Sequence, residues 1–546
     1  MSVRLNGGDA LVETLIANGV DAAFTVPGES FLTTLEAMRQ RRDKIGLVSV
    51  RHESGASFAA DAHARLTGRP AVAMVSRGPG ATNAAIGLHT ARQDSVPMLM
   101  VMGQVKREVQ GREAFQEIDA VSSFASMAKA VLQPADGHEV AAMTAKALAI
   151  ATEGRPGPVV LVMPRDVGTD ETDRPIPTNP ARAAVAPDAN DVAKLAALLE
   201  RADRPLIIAG EAVLREGAQA QLAAFAERTG AAVLSAYRCQ DVLDNLHPHY
   251  AGHLEINRLP HQVEAIAEAD LVLALGTRLD GITTLEMGAG ILPTIRCLAQ
   301  VYPDAEVLAR FDSEIAVRAD VAPVLAALSE RLTDKPGRGQ GWVGPLHDAY
   351  MAASAPESFP AKGVVDLGQA TAAAAEIAGD DAITVTDGGS FARWVHRFLR
   401  VRRPGTVLGP AAGAMGYAVP GANGAALARP GARVLTWAGD GGFMMTGQEL
   451  ATAVANRLKV TAIVCDNGAQ GSILAGQLKN YGEGHDIGTI VPSPDFAALA
   501  RAYGAPAWTV ETTAAFAPAL REALAVDGPA LLHLKTDRRD IAPYDD

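Results

Sequence analysis

Short apolar runs punctuate the chain, and between them apolar residues recur every three or four positions. The runs predict strands buried on both faces, and the intervening periodicity predicts helices that cover them. Residues 6–20 read as a helix with Ala10, Leu11, Leu15 and Ile16 on one face, and runs at 22–26, 45–50, 70–75 and 96–102 read as strands. A second series falls at 206–209, 232–235, 271–275 and 305–308. A third falls at 383–386, 406–408, 434–437, 460–465 and 530–534, with a helix over 494–503. Alternation of this kind predicts an α/β fold of three doubly wound parallel-sheet domains. Residues 165–190, rich in Pro, Thr and Asp, and 335–362, with Pro, Gly and Ser, read as linkers, so the expected domains are 1–166, 190–334 and 362–546.

Composition narrows the function classes. A chain of 546 residues with 48% hydrophobic and 20% charged residues can bury several cores. Its net charge of -13 argues against a general nucleic-acid or anionic-membrane binder, which needs a basic face. No signal-peptide pattern opens the sequence, no apolar stretch is long enough to span a bilayer, and Cys239, Cys297 and Cys465 lack metal or redox spacing. These features point to a cytoplasmic protein with core thiols and no nucleic-acid or membrane partner.

Chemistry concentrates in residues 434–474. The run 434–438 stops at Gly439-Asp440-Gly441-Gly442, a helix is expected over 446–456, and a second strand ends at Asp466-Asn467. A right-handed crossover brings both strand ends to one sheet edge, so Asp440 and Asn467 are expected to be neighbours there. A carboxylate and an amide oxygen suit Mg2+, which needs few protein ligands when phosphate oxygens and water complete its shell. The glycines let backbone N–H groups approach such a phosphate. Glu53 is placed similarly, where a strand gives way to a helix over 54–67. On residue grounds alone it also suits complementing a helix N-terminus, Met415 suits a core position, and Phe115 suits packing.

Gly439-Asp440-Gly441 followed by Asp466-Asn467 resembles the cofactor signature of thiamine diphosphate enzymes, with Asp466 standing where the family has an asparagine that does not bind metal. Arg51-His52-Glu53, Gly78-Pro79-Gly80-Ala81-Thr82-Asn83, Gly103-Gln104-Val105, Ala114-Phe115-Gln116-Glu117 and Met415-Gly416-Tyr417 extend the likeness, in order, to the acetolactate synthase branch. The resemblance implies a thiamine diphosphate- and Mg2+-dependent decarboxylase or carboligase acting on 2-keto acids, a homodimer or homotetramer with active sites between subunits. It implies Asp440, Asn467 and the Ala469 carbonyl as metal ligands, and Glu53 as the catalytic group that hydrogen-bonds the aminopyrimidine. Met415 is implied as the wedge that bends the cofactor. Gly388, Gly389, Ser390, Gly413, Gly439, Gly441, Gly442 and Gly471 are implied cofactor contacts, although Ser390-Phe391 replaces the family's Gln-His.

Phe115, Gln116, Gly476 and, more weakly, Lys129 are the substrate candidates. Gly476 stands where acetolactate synthases place a tryptophan, so the acceptor pocket is expected to be wider, with 476–488 as a mobile lid. Flavin is possible but not favoured: Gly276 and Arg278 match a family flavin contact, whereas 250–257 does not match the Gly-rich flavin segment. The basic cluster Arg393, His396, Arg397, Arg400, Arg402 and Arg403 reads as a solvated face. Rival readings are a simple keto acid decarboxylase, an acyl-CoA lyase, a carboxyethylarginine-synthase-like enzyme, or a scaffold without activity.

Overall fold

In the computed structural model, which describes residues 5–285, 290, 292–333 and 339–544, three six-stranded sheets form, and every strand pairing within them is parallel. The first sheet runs Gly46–Ser49, Ala22–Thr25, Ala71–Ser76, Met98–Gln104, Val159–Pro164 and Ala130–Leu132 in spatial order. The second runs Tyr250–His253, Ala232–Ser235, Pro205–Ala209, Leu271–Leu275, Leu298–Val301 and Ile315–Val317. The third runs Val407–Leu408, Ile383–Thr386, Val434–Gly439, Val460–Asp466, Ala530–Lys535 and Ala507–Val510. Their central strands are buried along their length, with Ser76 partly exposed at the end of Ala71–Ser76, as the continuous apolar runs require. No helix among the described residues is long and apolar enough to cross a membrane.

Three local expectations give way. Residues 305–308 form a helix, because the Asp304 carboxylate accepts from the N–H groups of Glu306 and Val307 and starts a turn. The strands there are Leu298–Val301 and Ile315–Val317 instead. The stretch read as a second linker contains the helix Gln340–Ala353, whose Trp342, Val343, Leu346 and Tyr350 join the central core. The helix expected over 446–456 is shorter, Glu449–Ala455, and a separate helix, Asp440–Thr446, precedes it, opening on Asp440 itself.

The first and third domains are locked by small residues. Helix Glu53–Thr67 meets helix Ala418–Ala428 so closely that a Cβ on Gly424 would lie 2.1 Å from the Ala59 carbonyl oxygen. Side chains at such a contact would force the helices apart. Beside it, the Tyr417 hydroxyl donates to the buried Asp61 carboxylate at 2.8 Å. The packing thus fixes Glu53, at the start of one helix, relative to the 413–417 turn at the start of the other.

Candidate active site

Adjacent parallel strands bring Asp387, Asp440 and Asn467 to the carboxyl edge of the third sheet, each one residue beyond the end of its strand. Asp440 accepts from the N–H of Gly441 at 2.7 Å and of Gly468 at 2.8 Å, one on each carboxylate oxygen. Burial, and then the negative neighbour Asp466, push its carboxyl above the ordinary range. Asp466 itself goes the other way. Burial opposes its charge, but hydrogen bonds from His533 at 2.8 Å and Lys535 at 2.7 Å outweigh that and hold it well below the ordinary carboxylate range.

Asn467 folds into an Asx turn, its side-chain oxygen accepting from Ala469 N–H at 3.0 Å. The 489–493 segment returns over this loop: Gln470 N–H donates to the Thr489 carbonyl and Val491 N–H to the Gly468 carbonyl. Among the described residues the Ala469 carbonyl accepts no hydrogen bond. A carboxylate without a cationic partner among the described residues, an oriented amide oxygen and a carbonyl that accepts no hydrogen bond fit a hard cation. The site also collects the other candidates. A Cβ on Gly471 would lie 2.9 Å from Ser390 Oγ and 3.3 Å from Asn467 Nδ2, and one on Gly441 would lie 3.2 Å from Met415 Cε. Met415 is half-buried rather than a core residue.

Asp387 ties the loops together and was not read from sequence. Fully buried, it accepts from Gly388 N–H at 3.2 Å, Gly416 N–H at 3.0 Å and Tyr417 N–H at 2.9 Å. Burial pushes its carboxyl up to about 6 against those three bonds. It leaves no room on Gly442, where a Cβ would fall 2.1 Å from Asp387 Oδ2. Gly413 and Gly389 keep positive φ, 67° and 152°, on the exposed side of the same loops.

Glu53 begins its helix half-buried, and its carboxylate accepts from Asn83 Nδ2 at 3.0 Å. His52 is the helix cap, its ring nitrogen accepting from Ser54 N–H, which agrees with a purely local role. The turn before Glu53 is held from the third domain: Glu449, wholly buried, accepts from the N–H groups of Arg51 and His52 at 2.9 and 3.0 Å. Sequence reading missed Glu449 because its partners lie nearly 400 residues away. Gln116 takes a left-handed φ of 66° and its carbonyl accepts from Gly78 N–H at 2.9 Å, which sets Phe115 and Gln116 against the Gly78–Gly80 turn. Among the described residues of one chain, no hydrogen bond joins Glu53, Phe115 or Gln116 to the Asp440 loop.

Lys129 does not join either group; its ammonium donates to the Glu153 carbonyl. Gly476 lies within the helix Gly471–Tyr481, so half of the expected lid is regular structure, and a Cβ there would meet nothing within 4 Å. In the central domain the buried Arg278 donates to Glu211 at 3.2 Å and to the Gln93 carbonyl of the first domain. The expected solvated basic face is not one throughout: His396 is buried, and Arg400 donates to Ser354 and the Met351 carbonyl.

Three family models cover this arrangement. They are the N-terminal TPP binding domain of thiamine pyrophosphate enzymes over residues 5–123, the central domain over 192–328 and the C-terminal TPP binding domain over 387–534. The acetolactate synthase large subunit of Parasynechococcus marenigrum (strain WH8102) is 32% identical over 518 residues, 92% of this chain and 82% of that relative. The acetolactate synthase isozyme 1 large subunit of Escherichia coli (strain K12) is 31% identical over 542 residues, 98% and 95% of the two chains. The chain belongs to the thiamine pyrophosphate (thiamine diphosphate) enzyme family, in its acetolactate synthase-like branch.

Proposed function

We propose that this protein decarboxylates a 2-keto acid and joins the remaining fragment to an acceptor, using thiamine diphosphate and Mg2+ in sites shared between two chains. The observation that carries the reading is the convergence of Asp440, Asn467, Ala469, Ser390 and Met415 on one sheet edge. When bound, the cofactor supplies an electron sink for loss of carbon dioxide. Asp440, Asn467 and the Ala469 carbonyl would hold the cation, and the Gly388–Ser390 and Gly439–Gly442 turns, with Gly471, would line the diphosphate. Met415 and Gly413 would shape the pyrimidine end. Glu53, oriented by Asn83, would hold a proton against the aminopyrimidine ring nitrogen. Phe115 and Gln116 would orient the keto acid and help keep water out.

Exposed apolar groups support the shared site. In a single chain Phe115 is 77%, Met444 56% and Ile473 60% exposed, near the Glu53 turn and the Asp440 loop, where a second subunit would cover them. The test of function is carbon dioxide release and product analysis with a panel of 2-keto acids, with and without thiamine diphosphate and Mg2+. Release that needs neither, or no release from any keto acid, contradicts the proposal.

The open space at Gly476 favours an acceptor larger than a second pyruvate. Gly476→Trp is expected to leave the helix intact and to lower condensation onto bulky aldehydes about tenfold more than pyruvate self-condensation, a difference of roughly 1.4 kcal/mol in binding the transition state. Product ratios from paired-acceptor assays check this; a wild-type enzyme that already strongly prefers pyruvate as acceptor contradicts it. The engagement of the Arg278 guanidinium by Glu211 and Gln93 supports the reading in which flavin is absent or dispensable. The purified protein is expected to show no flavin absorbance and to gain no activity from added FAD; a yellow preparation would overturn this.

A further inference from the structure

Behind the diphosphate turns lies a buried polar cluster that crosses from the central domain into the third. Arg238, 4% exposed, follows the strand Ala232–Ser235 and has a left-handed φ of 62°, a backbone conformation that a non-glycine residue keeps only where its surroundings enforce it. Its guanidinium donates to Thr386 Oγ1, to His396 Nε2 at 2.7 Å and to the Asp387 carbonyl at 3.2 Å. On the far side of the imidazole, His396 Nδ1 lies 2.7 Å from Glu255 Oε2, and His253 Nε2 lies 3.7 Å from the same oxygen.

The donor chemistry fixes the protons. A guanidinium only donates, so His396 Nε2 carries the lone pair and Nδ1 carries the hydrogen that Glu255 accepts. Burial, then Arg238, pushes the His396 imidazole down to about 4. Burial works against the Glu255 charge, but the neighbouring His253 imidazole and the hydrogen bond from His396 hold its carboxyl well below the ordinary range. His253, Glu255 and His396 come close enough to hold a metal ion. However, the tautomer withholds the Nδ1 lone pair, the Arg238 guanidinium occupies Nε2, and the Arg258 guanidinium already balances the single carboxylate. The cluster is therefore a hydrogen-bonded brace, not a metal centre.

What the brace holds is Asp387. Its carbonyl takes the Arg238 bond, and its carboxylate takes the backbone N–H groups of Gly388, Gly416 and Tyr417. One residue thus joins the 388–390 turn to the 413–417 turn. We propose that Arg238 is a positioning residue for the cofactor site: through Asp387 it sets the spacing of these two turns, so that the central domain governs how tightly thiamine diphosphate binds. This rests on the cofactor reading above.

The test is thiamine diphosphate titration of apo protein at saturating Mg2+, followed by tryptophan fluorescence, alongside amide exchange. Arg238→Lys keeps a positive charge beside His396 but loses the fork that reaches the Asp387 carbonyl, and is expected to raise Kd about tenfold or more. Arg238→Met paired with Glu255→Gln removes the fork and the buried charge together, and is expected to raise Kd at least as much. In both variants, exchange is expected to quicken in peptides spanning 388–390 and 413–417 and to stay unchanged in 205–209. Wild-type Kd with unchanged exchange in Arg238→Lys overturns the positioning role, as does exchange that quickens throughout the chain. A wild-type protein that fails to bind thiamine diphosphate would instead remove the cofactor reading, and this proposal with it.

Discussion

Turnover is expected to fall by roughly 100-fold or more in Glu53→Gln, while cofactor affinity changes far less. Gln keeps the size of the side chain but has no acidic proton to share with a ring nitrogen. Its amide oxygen can still accept the Asn83 hydrogen bond, and the turn before it remains strapped by Glu449 through the Arg51 and His52 N–H groups. The loss is therefore chemical and not a loss of folding. Steady-state rates and calorimetric cofactor affinity on the same preparation check it; wild-type turnover would make Glu53 a helix-end charge and nothing more.

Asp440→Ala is expected to weaken Mg2+ and thiamine diphosphate binding together, by roughly 100-fold or more, because each completes the other's site. The loop around it should survive. Asp466, anchored by His533 and Lys535, still accepts from Gly468 N–H at 3.1 Å, and the 489–493 segment loses the Ser493 Oγ contact to Asp440 at 3.4 Å but keeps its backbone bonds to Gly468 and Gln470. The sign of the pH effect follows from the raised carboxyl of Asp440. Its contribution to apo stability is full below the unfolded-state pKa of 3.8 and is lost as pH rises through the higher folded value. At neutral pH the ionised group is thus a cost that bound cation offsets. Cofactor with Mg2+ should raise the thermal midpoint of the wild type and leave that of the variant in place. Equal shifts in both, or unchanged affinity by calorimetry, would contradict the metal assignment.

The α/β class was legible because the central strands are buried on both faces and read as uninterrupted apolar runs. Edge strands were not. Ala130–Leu132 is only half-buried, and Ile315–Val317 alternates buried and exposed over three residues, too short to carry a period. The 305–308 run misled because Ala305, Val307 and Leu308 around a single Glu306 suit either element, and one capping aspartate decided it. At the site, the meeting of Asp440 and the Asn467 loop was legible, since one crossover connects them. Asp387 and Glu449 were not. Their importance lies in which distant N–H groups they accept from, and neither a motif nor a periodicity records that. Likewise a row of basic residues looked solvated, yet His396 is enclosed by Arg238 and Glu255 from another domain.

Whether two chains share one active site is tested most directly by co-expressing Glu53→Gln and Asp440→Ala subunits carrying different affinity tags. At limiting thiamine diphosphate each variant alone is expected to be nearly inactive, and a hybrid dimer then holds one site with both defects and one with neither. Random pairing is expected to restore about a quarter of wild-type activity, and isolated hybrids about half, if Glu53 of one subunit faces Asp440 of its partner. Isolated hybrids as inactive as the parent variants would mean that each chain builds its site alone, and would contradict the shared thiamine diphosphate site.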